Sequence, residues 1–309
     1  MIELNIYFEK SNPCLSNPLF IYERFFELIK NARKNINFNY IDSRSLRTPE
    51  NYLGPNTIYG SHFMRIENPM TKKFLLISYW DKARNIFEKE SGFDVPNLLE
   101  LYTSIGIHGE SDITYDLCDP PIKYTPISYC HETPAWDQYV EENFQKQIIK
   151  KIPEKPRIRA FPYVFREYLL KEKRFNYIDA RYERLHQKEY CEELNEDFIN
   201  IAPNAKGEIS YREIGILGLG NVMLRTKHRV QFKDPLIPEY HYSSVEIDDF
   251  SNYEKLADAF LDKYNKIKND KEYLNFISKN AREWYLNNGT SEKNAQILFQ
   301  TVDINKLLK

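Results

Sequence analysis

Gly207 to Arg225 reads GEISYREIGILGLGNVMLR. A glycine opens a loop, and Ser210 and Arg212 stand where a short helix begins. Gly218 and Gly220 end that helix, and the apolar stretch Asn221–Leu224 follows as a strand. The helix therefore starts with a hydroxyl and a guanidinium. Such a start suits a nucleotide diphosphate, because the unsatisfied N–H groups and the helix dipole both favour negative charge there.

The alternation of strand and helix extends outward from this segment. Toward the N-terminus, Ile2–Phe8 alternates as a strand, Leu19–Ala32 has apolar residues at helical spacing, and Phe38–Ile41 is a second strand. Lys73–Tyr79, KFLLISY, is nearly continuous in apolar residues, the pattern of a strand buried on both faces of a parallel sheet. Arg84–Glu90 and Pro96–Leu101 read as helical, and Ile127–Cys130 as a strand. Lys150–Ile158, with two prolines and no apolar period, reads as the linker between domains. Beyond it come a helix at Tyr163–Lys173, a short strand at Tyr177–Ala180, an amphipathic Glu183–Leu194 and a strand at Phe198–Ala202. Downstream, His241–Ile247 reads as a strand, and Tyr253–Ile267, Glu272–Leu286 and Glu292–Leu308 as amphipathic helices. Asn288-Gly289-Thr290 reads as a helix end with Gly289 at the C-cap. Repeated alternation of this kind predicts an α/β protein. The expected domains are 1–149 and 150–290, with 291–309 a helix crossing back to the first. Two α/β halves imply a cleft, and residues just after strands are the ones that face it.

The bulk numbers exclude several classes. The chain has 309 residues and a net charge of −2, without the basic footprint of a nucleic-acid binder. MIELNIYFEK lacks the layout of a signal peptide, and no apolar run is long enough to span a bilayer. Cys14, Cys118, Cys130 and Cys191 form no CxxC pair, which fits a reducing compartment, and a cytoplasmic location is expected. Aromatic residues make up 15%, which follows from AT-rich residue usage and also suits sugar stacking.

The second half resembles the nucleotide-binding domain of GT-B glycosyltransferases. The similarity is to the CAP10-like protein O-glucosyltransferases and, more loosely, to the exostosin-like enzymes. It is carried by Ser210-Tyr211-Arg212, by Gly220 eight residues after the arginine, and by Val222-Met223-Leu224. Pro238, His241-Tyr242, Asp248-Asp249 and the helix ending Asn280-Ala281-Arg282-Glu283-Trp284 follow in the family's order. The resemblance covers roughly Asp197 to Asn288. It implies two Rossmann-like domains facing each other across a cleft, a UDP-linked sugar as donor, and inverting transfer to a hydroxyl of a glycan or protein. It implies no cofactor and no required metal.

Within that reading, Arg212 holds the departing diphosphate, since a guanidinium presents a fixed fork to two phosphate oxygens. The alternative is a surface pair with Glu208 or Glu213. Ser210 caps the helix, and its N–H, with Gly207 and Tyr211 beside it, faces the donor. Either Glu208 or Glu213 can accept from two ribose hydroxyls, and the enrichment of acids at helix N-termini explains at least one of them equally well. Arg166, with Arg159, is a second candidate phosphate contact. Asp81, after the KFLLISY strand, is the expected general base, against a simple capping role. His62 and His131-Glu132 compete with it. His241 reads as a packed structural residue. Asp248-Asp249 and Asp112 invite comparison with a metal-binding Asp-x-Asp, but six histidines without paired spacing give no metal site. Two other functions stay open on the sequence alone: a DNA-directed glucosyltransferase of viral type, and a catalytically silent module that binds glycans or a protein.

Overall fold

The computed structural model describes residues 1–8, 19–42, 63–78, 97–103, 106–107, 124–128, 130, 133–146, 148–158, 172–177, 186–202, 209–228, 230–247 and 252–309. The expected helices at Arg84–Glu90 and Tyr163–Lys173 lie outside them. The chain divides into two compact units. The first is Met1–Thr133, Arg229–Asp234 and Ser291–Lys309, and the second is Pro134–His228 with Pro235–Thr290.

The first unit is built on a six-stranded sheet, in the order β2-β1-β3-β4-β5-β7. Its strands are β1 (Ile2–Phe8), β2 (Ile36–Asp42), β3 (Phe63–Glu67), β4 (Phe74–Ser78), β5 (Leu98–Thr103) and β7 (Tyr124–Pro126). A short antiparallel pair joins β6 (Gly106–Ile107) to β12 (Val230–Gln231). β1 pairs parallel with β2, across the crossover helix α1 (Leu19–Ala32). Leu4, Ile6 and Phe8 alternate into a core with Ile21, Tyr22, Phe25, Phe26 and Ile29 of α1. This is the half-buried strand and amphipathic helix that the two periodicities dictate.

KFLLISY supplies β4, buried along its whole length. One neighbour departs from the expected parallel sheet: β3 runs antiparallel to both β1 and β4. The β3–β4 turn makes this possible. Lys72 adopts φ 62°, and its N–H donates to the Asn68 carbonyl at 2.9 Å. Two other expectations are corrected. The helix expected at Pro96–Leu101 gives way, over its described part, to the strand Leu98–Thr103, because parallel pairing with β4 overrides the helix preference of its leucines and glutamate. The strand expected at Ile127–Cys130 ends at Pro126, and the Ile127 N–H donates to Thr103 O at 2.9 Å.

The second unit carries a three-stranded parallel sheet, β10-β11-β13: β10 (Ile199–Ile201), β11 (Val222–Thr226) and β13 (Ser243–Val245). β10 and β11 are joined by α4 (Tyr211–Gly218), and the three form a βαβ unit. Helices α5 (Tyr253–Ile267) and α6 (Lys271–Trp284) bury Leu256, Phe260, Tyr264, Leu274 and Ile277 against Ile199, Val222 and Leu224. The remaining helices of this unit are α2 (Pro134–Gln145) and α3 (Gln187–Asn195). Lys150–Ile158 is no linker. Lys151 bonds to Glu196 and Phe198, and Arg157–Ile158 form β8, parallel to β9 (Asn176–Tyr177).

α6 runs into a π-helical turn, Tyr285–Gly289, which ends at Thr290 in extended backbone. Gly289 is therefore not a left-handed C-cap. It is needed for room, because a Cβ there would lie 2.5 Å from the Tyr285 ring. The first unit is completed by α7 (Ser291–Thr301) and a 3-10 turn, Ile304–Leu307. Ala295, Leu298, Val302, Ile304 and Leu307 join its core.

Candidate functional site: the start of α4

In a βαβ unit the helix after a strand begins at the carboxyl end of the sheet, the edge where ligands of parallel sheets bind. The start of α4 lies at that edge of the second unit. Ser210 is its N-cap, in extended backbone at φ −142° and ψ 163°. Glu213, three residues on, accepts a hydrogen bond from the Ser210 backbone N–H, and the Glu213 N–H donates to the Ser210 carbonyl at 3.0 Å. The sequence SYRE is thus a Ser-x-x-Glu cap. Tyr211, half-buried, stacks on Trp136 of α2, with ring centroids 6.1 Å apart and planes at 25°.

Arg212 is 7% exposed. It is not a solvated surface arginine, and it sits in the first turn of a helix. A cation in that position runs against the helix dipole. The far end of α4 is the conventional one. Lys150 Nζ donates to Leu219 O at 2.6 Å, and Arg282 donates to Gly218 O, so two cations meet the carbonyl end of the helix. Burial pulls the Lys150 ammonium down to about 8, with the Arg282 charge pushing the same way. The chain reverses through a Schellman turn: Gly220, at φ 62°, donates to Leu217 O at 3.0 Å, and Asn221 donates to Ile216 O at 3.1 Å.

Glu213 is held from two sides. One carboxylate oxygen holds the Ser210 N–H, and the other takes Arg225 Nη1 at 2.6 Å. The carboxylate is 3% exposed and the Arg225 side chain 0%. Both oxygens of Glu213 thus have protein partners, which fits the helix-start reading that stood beside ribose binding. Arg225, at the carboxyl end of β11, is missing from the sequence reading. The Ser-x-x-Glu spacing was the available signal for Glu213, but nothing in VMLRT announces a fully buried arginine.

Other polar groups gather beside this end of the sheet. His228 follows β11, and its N–H donates to Tyr242 Oη at 3.1 Å. Burial, and then the Arg225 charge, hold its ring well below the usual histidine range. His241 is packed, as read. Its Nδ1 accepts from the Ile237 N–H at 2.8 Å, and burial takes it down to about 4. Glu239, at φ 60°, accepts from the Ser244 N–H and hydroxyl, Lys263 and Tyr273 Oη. Burial raises its pKa, but those donors outweigh burial and bring it down to about 2. It also borders a cavity of about 390 Å³ lined by Ser244, Glu246, Asp262, Lys263 and Lys266, none of them residues singled out from the sequence.

Of the site residues named from sequence, Ser210, Tyr211, Arg212 and Glu213 come together at one helix start. Gly207, Glu208, Asp81, His62, Arg166 and Arg159 lie outside the described residues, as do His131, Glu132, Asp112, Asp248 and Asp249. Among the described residues no three His, Cys, Asp or Glu side chains gather at metal-binding reach. No described helix is long and apolar enough to cross a membrane.

No known protein family matches the sequence, and no curated protein is similar to it. The solved structures similar to this chain include an alpha-glucosyltransferase in complex with UDP-glucose and DNA containing an abasic site. The match has a TM-score of 0.36 and 10% identity, and covers 72% of this chain and 67% of that one. A likeness this slight carries no argument about activity.

Proposed function

We propose that this chain is a glycosyltransferase of the GT-B plan that takes its sugar from a nucleotide-sugar donor, UDP-linked by the resemblance of Ser210-Tyr211-Arg212 and its sequel. One observation carries the reading: a buried arginine in the first turn of the helix that follows the first strand of a parallel sheet. Leaving-group departure puts negative charge on the diphosphate. A preorganised guanidinium and helix amides lower the barrier at that point without a required metal. In this reading the transfer is a direct displacement. An acceptor hydroxyl on a glycan or protein attacks the anomeric carbon, its proton passes to Asp81 or His62, and the bond to the diphosphate oxygen breaks with inversion. Gly207, Glu208 and Arg166 are proposed as further donor contacts.

The test is UDP release from UDP-sugars with a panel of glycan and peptide acceptors. Arg212→Ala is expected to lower kcat/KM about 10²–10³-fold, the cost of removing a donor aimed at developing charge. Unchanged turnover would remove Arg212 from the mechanism. NMR of the product anomer tests inversion separately, and a retained configuration would exclude it. Transfer to duplex DNA and to no glycan or peptide would overturn the acceptor class.

A further inference from the structure

Arg225 and Glu213 form an ion pair at 2.6 Å with both side chains almost fully buried. Such a pair is a poor source of stability, because taking two charges out of water offsets most of their attraction. The helix cap does not require it either, since a glutamine at the same position also accepts from the N-cap N–H.

What the pair contributes is geometry. Arg225 Nε donates to the Thr226 carbonyl at 2.9 Å while Nη1 holds one oxygen of Glu213. The guanidinium is thereby fixed to the carboxyl end of β11. The second oxygen of Glu213 holds the Ser210 N–H. One carboxylate thus ties the first turn of α4 to the end of the central strand, on both sides of the turn that carries Arg212.

We propose that Arg225 and Glu213 are positioning residues for the Ser210–Arg212 turn, setting how tightly it holds a diphosphate without touching the diphosphate themselves. The inference rests on the reading of this turn as the donor site. A bond network that fixes the direction of a helix start removes ordering that the ligand would otherwise have to impose.

The experiment uses the full-length chain, with UDP as probe, by calorimetric titration and thermal unfolding. The double variant Glu213→Leu/Arg225→Met replaces the pair by apolar side chains of similar size. It is expected to keep its unfolding midpoint within a few degrees and to bind UDP at least about tenfold more weakly. A double variant that keeps both its midpoint and the wild-type affinity would overturn positioning. Should the double variant not fold, Glu213→Gln decides, because it preserves the cap acceptor. Its expected loss is again about tenfold, and adding Arg212→Ala is expected to cost less than it does in the wild type, since the two act on one turn. Wild-type affinity in Glu213→Gln, or strictly additive losses, would overturn positioning. If the wild-type chain shows no UDP binding at millimolar concentration, the donor-site reading itself fails and the inference falls with it.

Discussion

At position 220 the backbone turns left-handed, at φ 62°, and the residue there is glycine. A Cβ would strain that conformation by roughly 1–2 kcal/mol and would lie 3.2 Å from Phe144 Cε2. Gly220→Ala is therefore expected to lower the unfolding midpoint by a few degrees in a circular-dichroism melt; an unchanged midpoint would contradict the Schellman assignment. His241 supplies a pH test. Its folded pKa, about 4, lies below the ordinary value of 6.5. The unfolded ring takes up a proton first, so the stability due to neutral His241 is fully present above pH 6.5 and is lost as pH falls through 4. His241→Asn keeps an acceptor for the Ile237 N–H and does not titrate. Its unfolding midpoint is expected to fall less between pH 7 and pH 4 than that of the wild type, and equal slopes would contradict this account. At this scale the sequence was uneven. The Gly220 turn and the helix start after Ser210 were legible because turn chemistry and helix-start chemistry are local. Arg225 was not, because its burial is set by Glu213, twelve residues earlier and across a helix.

α4 shows how far an element can be read from its own residues. The Ser-x-x-Glu start and the Gly220 end bracket it, and β10 and β11 flank it, so the βαβ unit was legible without tertiary information. α1 and α5 likewise run from Leu19 to Ala32 and from Tyr253 to Ile267, where the apolar period begins and ends. β3 and β5 were not legible. A five-residue FMRIE and a six-residue LLELYT carry little periodicity, and their identity comes from pairing with β4. The π-helical turn after α6 was hidden for a related reason: its residues answer to α4. A Cβ on Gly218 would lie 2.6 Å from Val140 Cγ1 and 3.0 Å from the Tyr285 ring. The Tyr285 hydroxyl is held by Asp137 at 2.8 Å. α4 is thus wedged against α2 and the turn, with no space for a side chain. Gly218→Val is expected to destabilise the chain by about 1–3 kcal/mol, the usual range for overpacking. Urea unfolding measures this, and a midpoint equal to wild type would show that the contact yields.

At the scale of the whole molecule, the first compact unit is assembled from three separated pieces of chain. Its C-terminal piece adds five apolar side chains to the core. Lys306 pairs with Glu100, the Asp303 N–H donates to Tyr102 Oη at 3.1 Å, and Asn68 Nδ2 donates to Leu307 O at 2.7 Å. At about 1.5–3 kcal/mol for each of Leu298, Val302, Ile304 and Leu307, removing that piece costs an amount comparable to the whole stability of a typical domain. Deletion of 291–309 is expected to strip hydrogen-exchange protection from β1 and β4 while β10 and β11 keep theirs. Retained protection in β1 would contradict the unit's composition. The central claim concerns the other unit, where the start of α4 is read as the grip on a diphosphate. Calorimetric titration of the intact chain and of Arg212→Ala with UDP tests it most directly. Charged hydrogen bonds contribute about 1.5–3 kcal/mol, so the account predicts saturable binding that weakens about 10- to 100-fold in the variant. Equal affinity in the two proteins would contradict it.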